Sequence, residues 1–330
     1  MFYYYLYDFI IESDFRIKAC ECEMYKNSKL QNMNNVIKYR KLTQAKKKEI
    51  YECTNWSYLT LKYYPLIAYE TDKYIILRYL DLYFVAVSIG TKEIFVDINS
   101  VDSKMSINVA LGGALSICMY TVGYLPIHAS SVDYNNNPII FIAPSKTGKS
   151  TLQHYMLESG CKSITDDVLP IKIYNEDILC YSSKNLKIKI DKFLANRFNI
   201  SVEESDIVTN LEDKYWMSLN SDIHSNKNYR IRYMFLLAPS TYCSDVMIQK
   251  ISKIEKLQTI IENCHFIQFT PNRSRNEIIN NVVNIFKDIN CLFLKRDESS
   301  FICIRCWLGT LGKQKKSNNK VEKDATAILK

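Results

Sequence analysis

The run with the most specific chemical pattern is Ala143-Pro144-Ser145-Lys146-Thr147-Gly148-Lys149-Ser150-Thr151. It follows the apolar run 138–142, which predicts a buried strand, and precedes a predicted helix. A loop in this position can surround a phosphate with backbone N–H groups, and the helix N-terminus adds partial positive charge. Lys149 would reach the β- and γ-phosphates of ATP and the Ser150 hydroxyl would coordinate Mg²⁺, whereas Thr151 would be structural. We therefore predict an ATP site over residues 143–151; the alternative is a chance match to the pattern.

One position of this loop departs from the usual motif. The motif begins with glycine, and Ala143 stands there instead. Alanine is the smallest replacement, so close approach of the backbone to a phosphate is retained. If the position required a positive φ, however, alanine would introduce strain.

An acidic pair, Asp166-Asp167, follows the predicted helix and lies in a segment, 163–173, that reads as one strand. In a parallel α/β sheet, the next strand can return its end to the phosphate loop. A carboxylate there could act as general base and a second could hold metal. Adjacent strand residues point to opposite faces, so both acids reach one site only at a strand end or irregularity. The alternative is a turn or a pair of surface acids.

His128 is the third candidate residue. It precedes the small residues Ala129-Ser130-Ser131 at the end of an apolar stretch. A single histidine is more often structural than catalytic, so His128 alone supports either interpretation.

The apolar pattern predicts the elements that must position these residues. Residues 1–23 should start a small sheet, and the polar, basic segment 24–50 should be a mobile or helical insert. We expect strands at 74–77, 82–87, 93–96, 127–129, 139–142, 163–173, 231–237 and 291–294, with a hairpin at 89–92 and a turn at 133–138. We expect helices at about 104–122, from 148–150 to Gly160, at 251–263 and at 275–288.

Composition places the chain among ordinary globular proteins. It has 330 residues, of which 47% are hydrophobic and 24% charged, enough for one large domain or two of medium size. The 11 cysteines are odd in number and dispersed, which favours reduced thiols and a cytoplasmic protein. The pair Cys303 and Cys306 lies in an apolar run, so we interpret it as buried thiols and not as a zinc site.

Charge and hydropathy limit the partners. The formal charge of +8 includes basic clusters at 26–48 and 313–323, which are typical of solvated faces or tails. We expect no nucleic-acid partner. Residues 107–127 carry no charge over a length that could span a bilayer, but their glycines and polar residues favour a buried helix followed by a strand. We therefore expect no stable membrane insertion, and the oligomeric state stays open.

The three motifs together resemble the catalytic domain of the HPr kinase/phosphorylase family. The resemblance rests on His128-Ala129-Ser130-Ser131-Val132, on the loop, and on Ser163-Ile164-Thr165-Asp166-Asp167-Val168, and is specific over about residues 106–173. It implies an α/β fold with a P-loop nucleotide-binding core of the HPr kinase/phosphoenolpyruvate carboxykinase type and a smaller N-terminal α+β region. The implied division is 1–103 for that region, 104–296 for the catalytic domain and 297–330 for a C-terminal extension and basic tail.

The resemblance also implies roles for the site residues. Asp166 would be the general base for the substrate hydroxyl, Asp167 would support Mg²⁺ and the loop, and His128 would orient Asp166 or the phosphate. Lys149 and Ser150 would keep the roles given above. Family members use ATP to phosphorylate a protein serine, so the implied partner is a peptide or protein with an acceptor serine.

Two departures narrow this expectation. Ala143 and Lys146 replace glycines of the family loop, and the glycine-containing signature of the bifunctional enzymes does not follow the acidic pair. The chain is more similar in arrangement to the peptide-serine kinases of modified-peptide biosynthesis, including kinases of lasso-peptide precursors, and the basic 26–48 segment could dock such a peptide. The alternatives are a nucleotide-binding regulator without catalysis and a carboxykinase-like small-molecule enzyme.

Overall fold

The computed structural model describes residues 1–20, 35–59, 66–79, 83–100, 102–144, 147–184, 186–209, 212–219, 223, 225, 227–237, 247–271, 275–286 and 289–295. The strands are β1 Phe2–Leu6, β2 Phe9–Ser13, β3 Val36–Lys41, β4 Ser57–Leu59, β5 Leu66–Glu70, β6 Tyr74–Tyr79, β7 Tyr83–Ser88, β8 Glu93–Val96, β9 Leu125–Tyr134, β10 Asn137–Ile142, β11 Lys162–Thr165, β12 Val168–Tyr174, β13 Asp177–Tyr181, β14 Ile188–Asp191, β15 Ile207–Thr209, β16 Glu212–Met217, β17 Asn228–Arg230, β18 Tyr233–Leu237, β19 Met247–Lys250 and β20 Asn290–Lys295. The α-helices are α1 Gln44–Tyr51, α2 Ser103–Val109, α3 Leu115–Thr121, α4 Lys149–Glu158, α5 Lys192–Arg197, α6 Lys253–Asn263 and α7 Arg275–Phe286. Ser145, Lys146, the predicted tail 297–330 and part of the basic 26–48 segment lie outside the described residues.

The N-terminal strands form one sheet in the order β1-β2-β3-β8-β7-β6-β5-β4. The predicted strands at 74–77 and 93–96 are confirmed, as is the part of the 82–87 strand from residue 83, which the structure describes. The hairpin at 89–92 and a sheet that begins within residues 1–23 are confirmed as well. The prediction of an insert over 24–50 is wrong in part: α1 is helical, but Val36–Lys41 is strand β3. The basic residues of β3 obscure the alternation of apolar and polar residues that predicts a strand. In the structure Arg40 forms ion pairs with Glu12 and Asp14 across the sheet.

The segment after this sheet, which contains the uncharged residues 107–127, begins with a helix in three parts. These parts are α2, a π-helical turn at Ala110–Ala114 and α3, and the Asp102 side chain caps α2 by accepting the Met105 N–H at 2.9 Å. Its apolar residues share a core with the N-terminal sheet, so burial explains the lack of charge. The predicted helix followed by a strand is confirmed, since β9 begins at Leu125. Within the described ranges, no helix has the length and apolarity needed to cross a membrane.

The second large sheet carries the candidate residues. Its order is β17-β13-β12-β9-β10-β18-β20-β19, with β11 also paired to β9. Among the described strands of this sheet, only β10, β18 and β20 pair in parallel, so the sheet is mixed and not wholly parallel. The predicted helix over 251–263 is confirmed as α6, and the described part, 275–286, of the helix predicted over 275–288 is confirmed as α7; both pack against this sheet. A small sheet of order β14-β16-β15 completes the fold.

The prediction of one strand over 163–173 is wrong. The chain forms β11 and β12, separated by a bend at Asp166 and Asp167. Both strands pair with β9, but β11 pairs at Ser131–Asp133 and β12 at Leu125–His128. The Thr165 hydroxyl donates to the Val168 carbonyl at 2.7 Å and closes the bend. The acidic pair therefore occupies the irregularity that two adjacent acids need in order to reach one site.

Candidate active site

Strand β9 brings the three motifs together. It runs antiparallel to β10 on one side and to β11 and β12 on the other, so those three strands run in the same direction. The carboxyl ends of β10 and β11 consequently lie at the same edge of the sheet. In the register, Ala129 lies opposite Ile142 and His128 opposite Val168. The histidine, the start of the loop and the acidic pair are thus neighbours across adjacent strands.

Asp167 is held between two nitrogen groups. Its Oδ1 lies 3.3 Å from His128 Nε2, and its Oδ2 lies 2.7 Å from Lys189 Nζ. Burial acts to raise the pKa of Asp167, but the Lys189 ammonium and the His128 hydrogen bond outweigh it and hold this pKa well below its usual range. Asp167 is therefore ionised at neutral pH. The resemblance implied that His128 orients Asp166 or the phosphate; in the structure its Nε2 lies against Asp167.

Asp166 keeps one carboxylate oxygen without a partner. Its Oδ2 accepts the backbone N–H of Lys189 at 2.8 Å. Its Oδ1 is buried and has no hydrogen-bond partner among the described residues. One oxygen thus fixes the carboxylate, and the other keeps an unused capacity to accept a hydrogen bond.

The loop between β10 and α4 encloses the Lys149 ammonium. Lys149 is only 6% exposed, and its Nζ donates to the carbonyls of Ala143 at 2.7 Å and Pro144 at 3.2 Å. Burial lowers the pKa of Lys149 to about 8, although the charges of Asp167 and Asp166 act to raise it. The two acids are therefore close enough to act electrostatically on the loop lysine.

The backbone of the loop tolerates its unusual first residue. Ala143 is fully buried, and its φ is not positive. The strain that a left-handed conformation would cause therefore does not arise. Gly148 does need its freedom, because it precedes α4 with φ +86°. The Thr147 hydroxyl closes the turn by donating to the Pro144 carbonyl at 2.8 Å.

The first turn of α4 contains Ser150 and Thr151. The helix has no side-chain cap at Gly148, so none of its first N–H groups is bonded to a capping side chain there. One turn further, Gln153 Nε2 donates to the Thr165 carbonyl at 2.8 Å and to Ser163 Oγ at 3.2 Å. These hydrogen bonds from the buried Gln153 amide connect α4 to β11, the strand that ends at the acidic pair.

Several residues at the site come from distant parts of the chain. Lys189 lies on β14, and its Nζ is 5.2 Å from the centroid of the Trp216 ring on β16. Tyr7, in the turn between β1 and β2, lies beside Asp166 and Asp167. No local sequence pattern marks them, because each is a single residue in an ordinary strand or turn.

A second histidine lies behind His128. The rings of His128 and His265 are 5.9 Å apart between centroids. Burial lowers the pKa of His265 to about 3, so this ring is neutral, and its Nδ1 is 2.8 Å from Ser116 Oγ. Because His265 is neutral, the ionised carboxylate of Asp167 is paired with Lys189 and His128 and not with His265.

Within the described residues, no group of three or more His, Cys, Asp or Glu side chains could hold a metal ion. A Mg²⁺ ion bound with a nucleotide needs only one or two protein ligands, because phosphates and waters supply the others.

Comparisons with known proteins identify no close relative. No protein-family model matches the chain. No curated protein matches it either. Among solved structures, the chain is similar to the Hpr(Ser) kinase/phosphatase from Coxiella burnetii, with 10% sequence identity and a TM-score of 0.32 over 60% of this chain and 98% of that one. This is a distant structural resemblance, and it assigns no role to any residue of the chain.

Proposed function

We propose that the protein is an ATP- and Mg²⁺-dependent kinase that transfers the γ-phosphoryl group to a serine hydroxyl of a peptide or protein. The observation that carries the proposal is the meeting of Lys149, the acidic pair and His128 at one edge of the sheet, around β9. A lysine that contacts the phosphates and a carboxylate that accepts the hydroxyl proton are two of the recurring parts of phosphoryl-transfer sites.

The loop and helix suit the phosphates of a nucleotide. The N-terminus of α4 lacks a side-chain cap, and its N–H groups and partial positive charge favour an anion. Lys149 would exchange the carbonyls of Ala143 and Pro144 for β- and γ-phosphate oxygens. The approach of a phosphate raises the pKa of Lys149 from about 8, so the bound lysine is cationic.

Ser150 and Asp167 are the groups that would hold Mg²⁺. The carboxylate of Asp167 is ionised, which suits a hard cation, and Ser150 lies in the first turn of α4. When bound, the ion neutralises charge that develops on the transferred phosphoryl group.

Asp166 is the proposed general base. Its Oδ1 takes the proton of the serine hydroxyl as the serine oxygen forms a bond to the γ-phosphorus. The bond from that phosphorus to the β–γ bridging oxygen breaks, and ADP leaves. Lys189 fixes both acids, through its backbone N–H on Asp166 and its ammonium on Asp167, and His128 completes the support of Asp167.

The test is incubation with γ-labelled ATP and the short peptides encoded beside the gene. We expect label on a serine of at least one peptide. Folded protein that binds ATP but labels none of these peptides would count heavily against the proposal.

A second function is favoured by one observation. Lys149 bonds to loop carbonyls, and both oxygens of Asp167 are engaged, an arrangement that also suits a nucleotide-binding regulator without turnover. A regulator would bind ATP, hydrolyse none and keep its cellular function in Asp166→Asn. A kinase would lose that function in the same variant.

A further inference from the structure

The connection between β13 and β14, which brings Lys189 to the acidic pair, is held near both of its ends. Near its start, the N–H of Ser183 donates to the Ile164 carbonyl at 2.7 Å. At its end, the N–H of Lys187 donates to the Ala19 carbonyl at 2.8 Å. Lys189 follows two residues later and bonds both acids. The β13–β14 connection is therefore bonded to β11, which ends at the acidic pair, and to the N-terminal region.

Lys184 lies in the middle of the β13–β14 connection and contacts the N-terminal sheet. It is only 9% exposed, and its Nζ lies 3.6 Å from the centroid of the Tyr5 ring on β1. The face of a tyrosine ring attracts an ammonium at this distance, and the attraction grows as water is excluded. An isolated β-bridge between Cys20 and Leu186 joins the same two regions. The N-terminal region thus contacts the connection through a side chain of its sheet as well as through its backbone.

The backbone of Lys184 has a conformation that its surroundings must hold. Its φ is +52°, in the left-handed region that residues with a Cβ rarely occupy. Such a conformation is costly and persists where surrounding contacts determine it, often beside functional sites. The contact between the Lys184 ammonium and the Tyr5 ring is one of those contacts. It therefore helps to fix the path of the chain toward Lys189.

We propose that Lys184 is a positioning residue for the acidic pair, because its ammonium on the Tyr5 ring anchors the β13–β14 connection to the N-terminal sheet. The anchored connection holds Lys189, whose N–H bonds Asp166 and whose ammonium bonds Asp167. The N-terminal sheet is then part of the support of the site. The use of the acids in phosphoryl transfer rests on the proposed kinase function, but the anchoring can be measured without it.

Amide hydrogen exchange of the full chain measures the anchoring directly. Two amides report on it: the N–H of Lys187, bonded to Ala19, and the N–H of Lys189, bonded to Asp166. Tyr5→Leu removes the ring, and both amides should exchange about tenfold faster, the effect of losing one cation–π contact of a buried ammonium. Tyr5→Phe keeps an aromatic face and should exchange like the parent. Amides of β10 and β18 should keep their parental exchange in both variants, which distinguishes a local release from a general loss of stability.

Lysine variants test the same contact from its other side. Lys184→Met removes the ammonium and should speed exchange at the two reporting amides as Tyr5→Leu does. The double variant should show little further change, because both substitutions break one contact. Lys172→Met is the matched control: Lys172 Nζ lies 4.4 Å from the centroid of the Tyr124 ring, but the residue is on β12 and outside the connection. This control should leave both amides unchanged.

The same variants separate positioning of the acids from nucleotide binding. Tyr5→Leu and Lys184→Met should transfer labelled phosphate about tenfold more slowly at saturating ATP with an unchanged KM for ATP, because a displaced catalytic group slows the chemical step. Tyr5→Phe and Lys172→Met should match the parent.

The two proposals fail in different ways. If exchange responds as expected but the parent protein labels no peptide, the anchoring of the acids stands and the kinase proposal fails. If the parent forms phosphoserine while Tyr5→Leu keeps the parental exchange or the parental transfer rate, the kinase proposal stands and the positioning role of Lys184 is refuted.

Discussion

Replacement of Lys189 by methionine tests how the acidic pair is held. The substitution removes the ammonium 2.7 Å from Asp167 Oδ2, whereas the backbone N–H that bonds Asp166 remains. Methionine keeps an apolar chain beside the Trp216 ring. The expected effects are a raised Asp167 pKa, a lower free energy of unfolding and slower phosphoryl transfer.

The burial of the pair sets the magnitude. The side chains of Lys189 and Asp167 are 16% and 31% exposed, so the ion pair lies between a surface pair and a fully buried one. Surface pairs contribute about 0–1 kcal/mol, and breaking buried pairs costs about 3–5 kcal/mol. We therefore expect Lys189→Met to lower the free energy of unfolding by about 1–3 kcal/mol at neutral pH. The exposed Lys192, nearby in the chain, provides the matched control Lys192→Met, which should change stability by less than about 0.5 kcal/mol.

The pH dependence has a definite sign. The folded-state pKa of Asp167 lies below its unfolded value of about 3.9, so its contribution is present above that pH and is lost as the pH falls through the folded-state pKa. The stability difference between parent and Lys189→Met should therefore be largest near pH 7 and shrink below about pH 4. Urea unfolding at several pH values measures it. A difference that stays constant from pH 7 to pH 3 would refute the ion-pair explanation.

Three further predictions concern the loop and its support. Because burial lowers the pKa of Lys149 to about 8, nucleotide affinity should fall as the pH rises above 8, and calorimetry in buffers of different ionisation enthalpy should detect proton uptake on binding. Gly148→Ala and Gly160→Ala should each lower the free energy of unfolding by about 1 kcal/mol, because both glycines have positive φ. Only Gly148→Ala should weaken ATP binding, and equal ATP affinities of the two variants would contradict the role of the loop. Gln153→Leu removes the side-chain donor to the Thr165 carbonyl. Urea unfolding should therefore show a free energy of unfolding lower by about 1–3 kcal/mol, and titration with ATP should show a weaker affinity. Unchanged values of both would contradict the coupling of α4 to β11.

The elements around the loop were predictable because their signals are local. The short apolar run before the loop predicted β10, and the helical pattern that follows Gly148 predicted α4. The uncharged run 107–127 predicted a buried helix, and the π-helical turn and α3 lie within it. In each case neighbouring residues along the chain determine the structure.

The details of the site depend on contacts between distant residues. The bend at Asp166 and Asp167 arises because β11 and β12 pair with different parts of β9, while the apolar pattern over 163–173 runs through it. The family resemblance implied that His128 lies near the acids, but only the register of Val168 opposite His128 determines that it meets Asp167. Lys189 reaches the pair from another sheet, and no local pattern predicts that pairing.

Strand β3 shows the same limit in the N-terminal sheet. Arg40 and its neighbouring lysines made the segment look like a solvated insert. The partners Glu12 and Asp14 that neutralise Arg40 come from β2 and the residue after it, so the pairing is visible only once the strands are side by side.

The central claim is that Asp166 is the base of a phosphoryl-transfer site built on the 143–151 loop. The most direct test measures ATP affinity and transfer of labelled phosphate to peptide serine in the same preparations of the parent, of Asp166→Asn and of the control Asp177→Asn, which alters an exposed pair with Arg230. We predict that Asp166→Asn binds ATP about as tightly as the parent and transfers phosphate about 10²–10⁴-fold more slowly, whereas Asp177→Asn behaves like the parent. Transfer by Asp166→Asn at the parental rate would contradict the claim.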